Sequence, residues 1–441
     1  MKNNQDLLRQ VYYSSLKITV YRNILQDQAF KTFMKLVHQL NCPSPLYEEL
    51  IENYHTLSAL LMNRYGMEKN ITGDLWQNHV INLVMEDENI FSLMCEAGQF
   101  DNIPPSIVDT VLNDLTYIQQ LFNVGGQAVQ ALKEKTCIEI WPSWEMGGTV
   151  SNSSSIKDRL LASNNRKELL AELSRYYRYK GCGLFSKCNA FRWVKKNGCG
   201  CLVGVSSPDP IRLEGLIGYE AERSDVLQNT LQFIHHLPAN NVLLYGDRGT
   251  GKSSTVKALL NEYAPKGLRL IELSKHHLAD LPEILALLQN RGLRFIIFVD
   301  DLAFESDGTQ YTALKSILEG GVEAKPSNVL IYATSNRRHL IKEYFSERSH
   351  DDEVSSQDTM QEKLSLADRF GITITFTSPD QEKYLRIVEG LAKQRKLNID
   401  TNQLRQNALK WEMWHNGRSP RTAKQFIDHL EGQRKLVDSG Q

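Results

Sequence analysis

Residues 241–253 read Asn241-Val242-Leu243-Leu244-Tyr245-Gly246-Asp247-Arg248-Gly249-Thr250-Gly251-Lys252-Ser253, and the architecture turns on them. Gly246, Gly251, Lys252 and Ser253 fill the pattern G-x-x-x-x-G-K-[ST]. An apolar run, Val242 to Tyr245, comes before it, and Ser254 to Leu260 continue as a helix. Strand, glycine-rich loop and helix together make a phosphate cradle. Backbone N–H groups wrap phosphate oxygens, and the helix N-terminus adds partial positive charge. Lys252 is then aimed at β- and γ-phosphates and the Ser253 hydroxyl at Mg²⁺.

Downstream, Arg294-Phe295-Ile296-Ile297-Phe298-Val299-Asp300-Asp301 is an apolar run ending in two acids, as a parallel strand buried on both faces would be. Asp300 is expected to bind Mg²⁺ through water, and Asp301 to polarise an attacking water. The alternative is an ordinary strand followed by a helix-capping Asp. The 48 residues from Lys252 to Asp300 leave room for a helix, a strand and another helix, which favours the catalytic assignment. The next strand is Asn328 to Asn336. Ligands in open α/β sheets lie beyond the carboxyl ends of the strands, so Asn336 is placed to orient water against a γ-phosphate. An acidic stretch (Asp351-Asp352-Glu353, then Asp358) leads to Lys363-Leu364-Ser365-Leu366-Ala367-Asp368-Arg369-Phe370-Gly371 and a strand from Ile372 to Phe376. A last helix begins at Arg418-Ser419-Pro420-Arg421, with Arg421 at its head.

Upstream the periodicity is helical from about residue 5 to 140. Val11, Leu16, Val20, Ile24, Phe30, Phe33, Val37 and Leu40 form one stripe. Ser44-Pro45 predicts a helix start, Ser as N-cap and Pro in the first turn. Further helices are expected over 74–97 and, after Pro104-Pro105, over 105–133. Nothing here carries chemistry, and the segment reads as a helical interaction domain. Trp141 to Ser155 is rich in Gly, Ser and Pro and reads as a linker or loop. Beyond it, Arg175-Tyr176-Tyr177-Arg178-Tyr179-Lys180 and Phe191-Arg192-Trp193-Val194-Lys195-Lys196 interleave rings and cations. That suits single-stranded nucleic acid, with bases stacked on rings and cations along phosphates. It also suits a half-buried strand pair whose Arg and Lys heads reach water.

The chain has 441 residues, enough for two or three domains. With 41% hydrophobic and 23% charged residues it is neither disordered throughout nor collagen-like. No segment approaches the ~18 apolar residues of a membrane span, and the polar start Met1 to Asp6 has no signal h-region, so a cytoplasmic protein without a membrane partner is expected. A net charge of −1 advertises no general affinity for nucleic acid. Residues 151–200, however, hold eleven Lys/Arg against three Asp/Glu, and residues 51–100 hold two against seven. Seven cysteines, an odd number, predict reduced thiols. Cys182, Cys188, Cys199 and Cys201 are separated by five, ten and one residues. That is not the spacing of paired zinc knuckles, and small residues in a Gly-rich hairpin is the better reading.

In their order, these parts resemble an AAA+ ATPase over roughly residues 211 to 434. Leu213-Glu214-Gly215-Leu216-Ile217-Gly218-Tyr219-Glu220 is similar to the segment that cups adenine in that superfamily. The 246–254 loop, Tyr332 to Leu340 and Leu364 to Gly371 look like a bacterial family of predicted ATP-binding proteins without an assigned cellular role, and the basic-aromatic segment matches it too. The resemblance implies an ATP site built from Ile217, Gly218, Gly246, Asp247, Arg248, Gly249, Thr250, Gly251, Lys252, Ser253 and Ser254, with Mg²⁺ at Ser253 and Asp300. It implies catalytic roles for Asp301, Asn336, Arg369 as a finger reaching a neighbouring subunit, and Arg421 acting in cis. A homo-oligomeric ring follows from the same resemblance. One departure is the Asp300-Asp301 pair, where most members carry Asp-Glu. Initiators and helicase loaders also tend to Asp-Asp, and Glu305 is an alternative base.

The expected architecture is α/β: a parallel five-stranded AAA+ sheet with helices on both faces, a C-terminal helical lid and a mostly helical N-terminal domain. The expected boundaries are 1–142 for the N-terminal domain, 143–160 for the linker and 161–210 for the basic aromatic-rich segment. The ATP-binding core then spans 211–378 and the lid 379–441. The leading function is an ATPase that remodels a macromolecule, with nucleic acid a candidate partner through 175–196. A nucleotide-gated scaffold with slow hydrolysis, or a helicase-loader-like DNA-associated ATPase, is the alternative. A small-molecule P-loop kinase would leave Asn336, Arg369 and the lid unexplained.

Overall fold

The long helical stretch at the N-terminus is cut into several helices, some of which open on a capping side chain. The computed structural model describes residues 2–68, 71–136, 144, 156–162, 165–302, 314, 317, 318, 325–336, 369–415 and 417–438. The chain divides into two units, Met1–Lys187 and Cys188–Gln441.

In the first unit, α1 is Lys2–Ser15 and α2 is Gln28–Leu40, the latter capped by Asp27, which accepts from the Phe30 N–H at 3.0 Å. α3, Tyr47–Tyr65, starts two residues later than Ser44-Pro45 suggests, with Leu46 at the N-cap and no side-chain cap. The helix expected over 74–97 is two helices, α4 (Leu75–Glu86) and α5 (Ile90–Glu96). Each opens on its own capping box, Asp74 with Gln77 and Asn89 with Ser92, so local hydrogen bonding ends one helix and starts the next. α6 is one long helix, Pro105–Thr136, with proline at its first position. α7 (Ile156–Ala162), α8 (Arg166–Lys180) and α9 (Leu184–Lys187) complete the unit.

Aromatic stacking organises this core. Phe33 lies on Trp76 with ring centroids 3.8 Å apart. Trp144, only 3% exposed, stacks on Tyr54 and donates from its indole N–H to Ser58 Oγ at 2.9 Å. Its carbonyl accepts from the Leu75 N–H at 3.0 Å, at the head of α4. The rest of the Trp141 to Ser155 stretch lies outside the described residues. Trp144→Ala is therefore expected to cost about 3–5 kcal/mol, the usual range for emptying a large aromatic site. A thermal or urea melt that separates the two units checks it, and an unchanged first transition would exclude the anchor.

The second unit is built on one sheet. Its strands are β1 (Ala190–Lys196), β2 (Cys199–Val205), β3 (Val242–Gly246), β4 (Leu268–Glu272), β5 (Arg294–Val299), β6 (Val329–Asn336) and β7 (Ile372–Phe376). Their order is β2-β1-β4-β5-β6-β3-β7. The expected five parallel strands are β4, β5, β6, β3 and β7. The sheet is two strands wider than expected, because β1 adds parallel to β4 and brings β2 antiparallel beside it. The hairpin turns on Asn197 and Gly198, both with positive φ, as a tight two-residue turn requires. Trp193 lies over Gly200, where any Cβ would strike the ring.

α10 (Glu220–Ile234) and α11 (Lys252–Tyr263) cover one sheet face through Val226, Phe233, Val256 and Leu259, packed with Leu244, Ile296, Leu330 and Ile374. The alternate positions Leu243, Ile271, Ile297 and Ile331 are buried as well, so both faces are covered. A further helix, α12, spans Leu281–Leu288. The lid is α13 (Gln381–Gln394), α14 (Thr401–Trp414) and α15 (Pro420–Asp438). The five parallel strands, the two covered faces and the helical lid are the architecture that the resemblance implies.

The rings of the basic-aromatic segment are mostly turned away from water. Arg175 to Lys180 end α8 rather than a strand, and the fully buried Tyr177 donates to the Val84 carbonyl at 2.5 Å. Trp193 is buried on β1, its indole N–H bonded to Asp280 at 3.0 Å, and Lys195 pairs with the same carboxylate at 2.6 Å. Of the five rings in these two stretches, only Tyr179 is exposed, at 45%. Spacing sets ring beside cation along the chain, but it does not say which face each ring takes. The cysteines do not gather either. Cys182 donates to Glu96 in the first unit, and Cys199 and Cys201 lie on β2. Among the described residues no group of three or more His, Cys, Asp or Glu is placed to hold a metal ion.

Candidate functional site

β3 delivers the glycine-rich loop at its carboxyl end. Gly246 has φ 137° and stands opposite Phe376 of β7, so that a Cβ would run into the Phe376 carbonyl. Gly249 and Gly251 also have positive φ, and the space beyond Gly251 is open. Thr250 is buried and ties the loop across itself, its hydroxyl donating to the Asp247 carbonyl at 2.9 Å. The Lys252 ammonium folds back on the loop, donating to the carbonyls of Gly246 (2.9 Å) and Asp247 (2.7 Å). Burial pushes the Lys252 pKa below its ordinary value, against the opposing pull of Asp247, Asp300 and Asp301. An amine held this way exchanges weak carbonyl partners for any anion that enters.

The acids meet the loop across the sheet. Ser253 Oγ donates to Asp300 Oδ1 at 2.6 Å, and Thr334 Oγ1 donates to the same oxygen at 2.5 Å. Thr334 also accepts from the Asp301 N–H at 2.9 Å, holding Asp301 at φ 52° with its side chain exposed. Asn336 is buried beside Gly246 in the β3–β6 register. Lys252, Ser253, Asp300, Asp301 and Asn336 line one cavity of about 290 Å³, together with Arg248, Gly249 and the lid residue Arg421.

A second cavity, about 510 Å³, adjoins the first through Gly249, Lys252, Ser253 and Arg421. Ile217, Thr250, Gly251 and Ser254 line it, with Leu216 and, from the lid, Ile387 and Leu391. Gly218 is not in this lining; it takes φ 79° and packs against Ile387. The lid touches the loop directly, the Arg421 N–H donating to the Gly249 carbonyl at 3.2 Å. Asp247, whose side chain accepts from the Ser378 N–H at 2.8 Å, ties the loop to the start of the lid. Arg369 stands three residues before β7, the outermost strand, and is among the lining residues of neither cavity. Glu305, Asp351, Asp352, Glu353, Asp358 and Asp368 lie outside the described residues.

Residues 186–434, more than half of the chain, match the family described as "Protein of unknown function (DUF815)". The chain belongs to that family. No curated protein matches it. Among solved structures, this DUF815 chain is similar to the Thermotoga maritima RuvB Holliday junction branch migration motor, at 17% identity and a TM-score of 0.35 over 52% of this chain and 67% of that one. A point variant of the same protein gives 18% identity and a TM-score of 0.37 with the same coverage. Likenesses at this level carry no functional argument.

Sequence reasoning about the DUF815 site misses Thr334 and the four cations Arg212, Arg223, Arg395 and Lys424 that line the larger cavity. Thr334 could be found as the residue two before Asn336, on the same side of β6. Nothing in the sequence pairs these four cations with the loop.

Proposed function

We propose that this protein is an Mg²⁺-dependent ATPase whose subunits work in a ring on a macromolecular partner. The observation that carries the reading is the convergence of Ser253 and Thr334 on one Asp300 carboxylate oxygen, beside Lys252 and next to a base-sized cavity. A hydroxyl and a carboxylate 2.6 Å apart at a helix N-terminus are the donors a hard divalent cation takes from a P-loop site. Ser253 and Asp300 would hold Mg²⁺, which when bound neutralises charge on the phosphates.

Lys252 leaves the Gly246 and Asp247 carbonyls for phosphate oxygens, and the open loop N–H groups wrap them. Asp301 orients a water and takes its proton, and Asn336 fixes that water's direction. Arg421 brings the lid onto the phosphates. Arg369 completes a neighbour's site. Ile217 and the lid residues Ile387 and Leu391 supply the apolar walls for the base.

Asp300→Asn tests this reading. It removes a charge while keeping the side-chain shape, so phosphate release should fall by at least a hundredfold and the Mg²⁺ dependence of nucleotide binding should flatten. Wild-type turnover in the variant would refute the site. The second reading, a nucleotide-gated scaffold, is favoured by the short, exposed Asp301. It predicts tight ATP binding by wild-type protein with almost no phosphate release.

A further inference from the structure

The lid carries a groove that the ATPase reading does not use. α14 and α15 line a cavity of about 350 Å³. Trp411 forms its floor, stacked on His415 with centroids 3.9 Å apart and 11° between planes, and against His429 at 4.8 Å. Trp414 stands at the rim 85% exposed, next to Met413 at 82%. A tryptophan at the end of a helix, left almost wholly in water, is unusual, since an aromatic ring this size is normally buried.

The groove's charge says what it fits. Lys410 is its charged lining residue, His415 and His429 add imidazole rings, and among the described residues no carboxylate joins them there. The nearby acids of α15 turn elsewhere: Asp428 and Glu431 both pair with Arg395, at 2.5 and 2.7 Å. Glu412 of α14 pairs with Arg418 at 2.7 Å. Asn407 and Gln433 add amide donors and acceptors to the lining. The Trp411 indole N–H has no acceptor among the described residues, and a buried donor without a partner costs stability that an entering acceptor could restore.

We propose that this face of the lid binds single-stranded nucleic acid, with Trp414 stacking on a base and Lys410 meeting the backbone phosphate. Exposed rings beside cations, with amides between them, are the chemistry of a sequence-tolerant single-strand platform. An apolar protein helix would use Met413 and Trp414 but would leave the Lys410 ammonium without an anion. The platform is separate from the residues assigned to ATP, so it stands or falls independently of hydrolysis.

Fluorescence anisotropy of the full chain with a labelled dT20 oligonucleotide tests the proposal. Wild-type protein binds at low salt, and the affinity falls steeply as salt rises, because phosphate contacts release counterions. Trp414→Ala weakens binding at least tenfold, about 1.4 kcal/mol, whereas Trp414→Phe keeps most of it. Lys410→Ala reduces the salt dependence. Nucleotide binding and melting temperature stay unchanged in all three, since both side chains project from the lid surface. Absence of dT20 binding at low salt overturns the proposal, as does equal binding by wild type and Trp414→Ala. If Trp414→Ala changes the sedimentation of the protein but not its dT20 affinity, the groove is a contact between copies of this chain and the proposal is wrong.

Discussion

On the proposed reading, Arg369→Ala is expected to abolish most ATP turnover, and a second, differently disabled subunit is expected to restore it. An arginine supplied across a subunit boundary is worth roughly 10³–10⁵ in rate in P-loop enzymes, so the single variant should lose at least a thousandfold. The structural grounds are positional. Arg369 precedes the outermost strand of the sheet and lines neither cavity of its own site, whereas Arg421 lines both. A residue at the sheet edge serves a neighbour more readily than itself.

Mixing separates this from a local role. Arg369→Ala protein keeps an intact ATP site, and Lys252→Ala protein keeps an intact finger. Each alone should be nearly inactive, yet mixed assemblies should regain part of the rate. A mixture that stays inactive although both proteins fold and co-assemble would exclude the trans arrangement, and normal hydrolysis by Arg369→Ala alone would exclude the finger.

The second large effect is at the loop. Lys252→Ala removes the ammonium that bridges the Gly246 and Asp247 carbonyls. ATP affinity should fall at least tenfold, about 1.4 kcal/mol. The loop shape should persist, because Thr250 and the positive-φ glycines hold it without the lysine. Titration with a labelled ATP analogue reads the affinity directly, and an unchanged dissociation constant would remove Lys252 from the site.

Much of this site is legible in the sequence alone. Gly246 to Ser253, Asp300 with Asp301, and Asn336 each sit at the end of an apolar strand, and that pattern is local. Short-range spacing places a loop after a strand and a carboxylate at its tip without reference to the rest of the chain. The lid helices and their caps are local in the same sense: Asp380 and Asp400 each accept from the backbone three residues on.

Spacing misleads where burial has the last word. Tyr177 and Trp193 have the setting of stacking rings because cations surround them, yet both are buried. Each finds a hydrogen-bond partner far away in sequence: the Val84 carbonyl for one and Asp280 for the other. Lys410, Trp411, Trp414 and His415 are neighbours in the chain, but helix packing decides that they share one groove with His429 of the next helix.

The phosphate loop and the acid-tipped strand are each written within a dozen residues of backbone, and their order along the chain is plain, so local patterns suffice for them. Three outcomes lie beyond such patterns: that Thr334 clasps Asp300 and braces Asp301, that the hairpin widens the sheet to seven strands, and which rings face water. They depend on which strands lie side by side and which helix faces meet. Such pairings are chosen by the burial of surfaces distant in the chain, and no short stretch of residues records them.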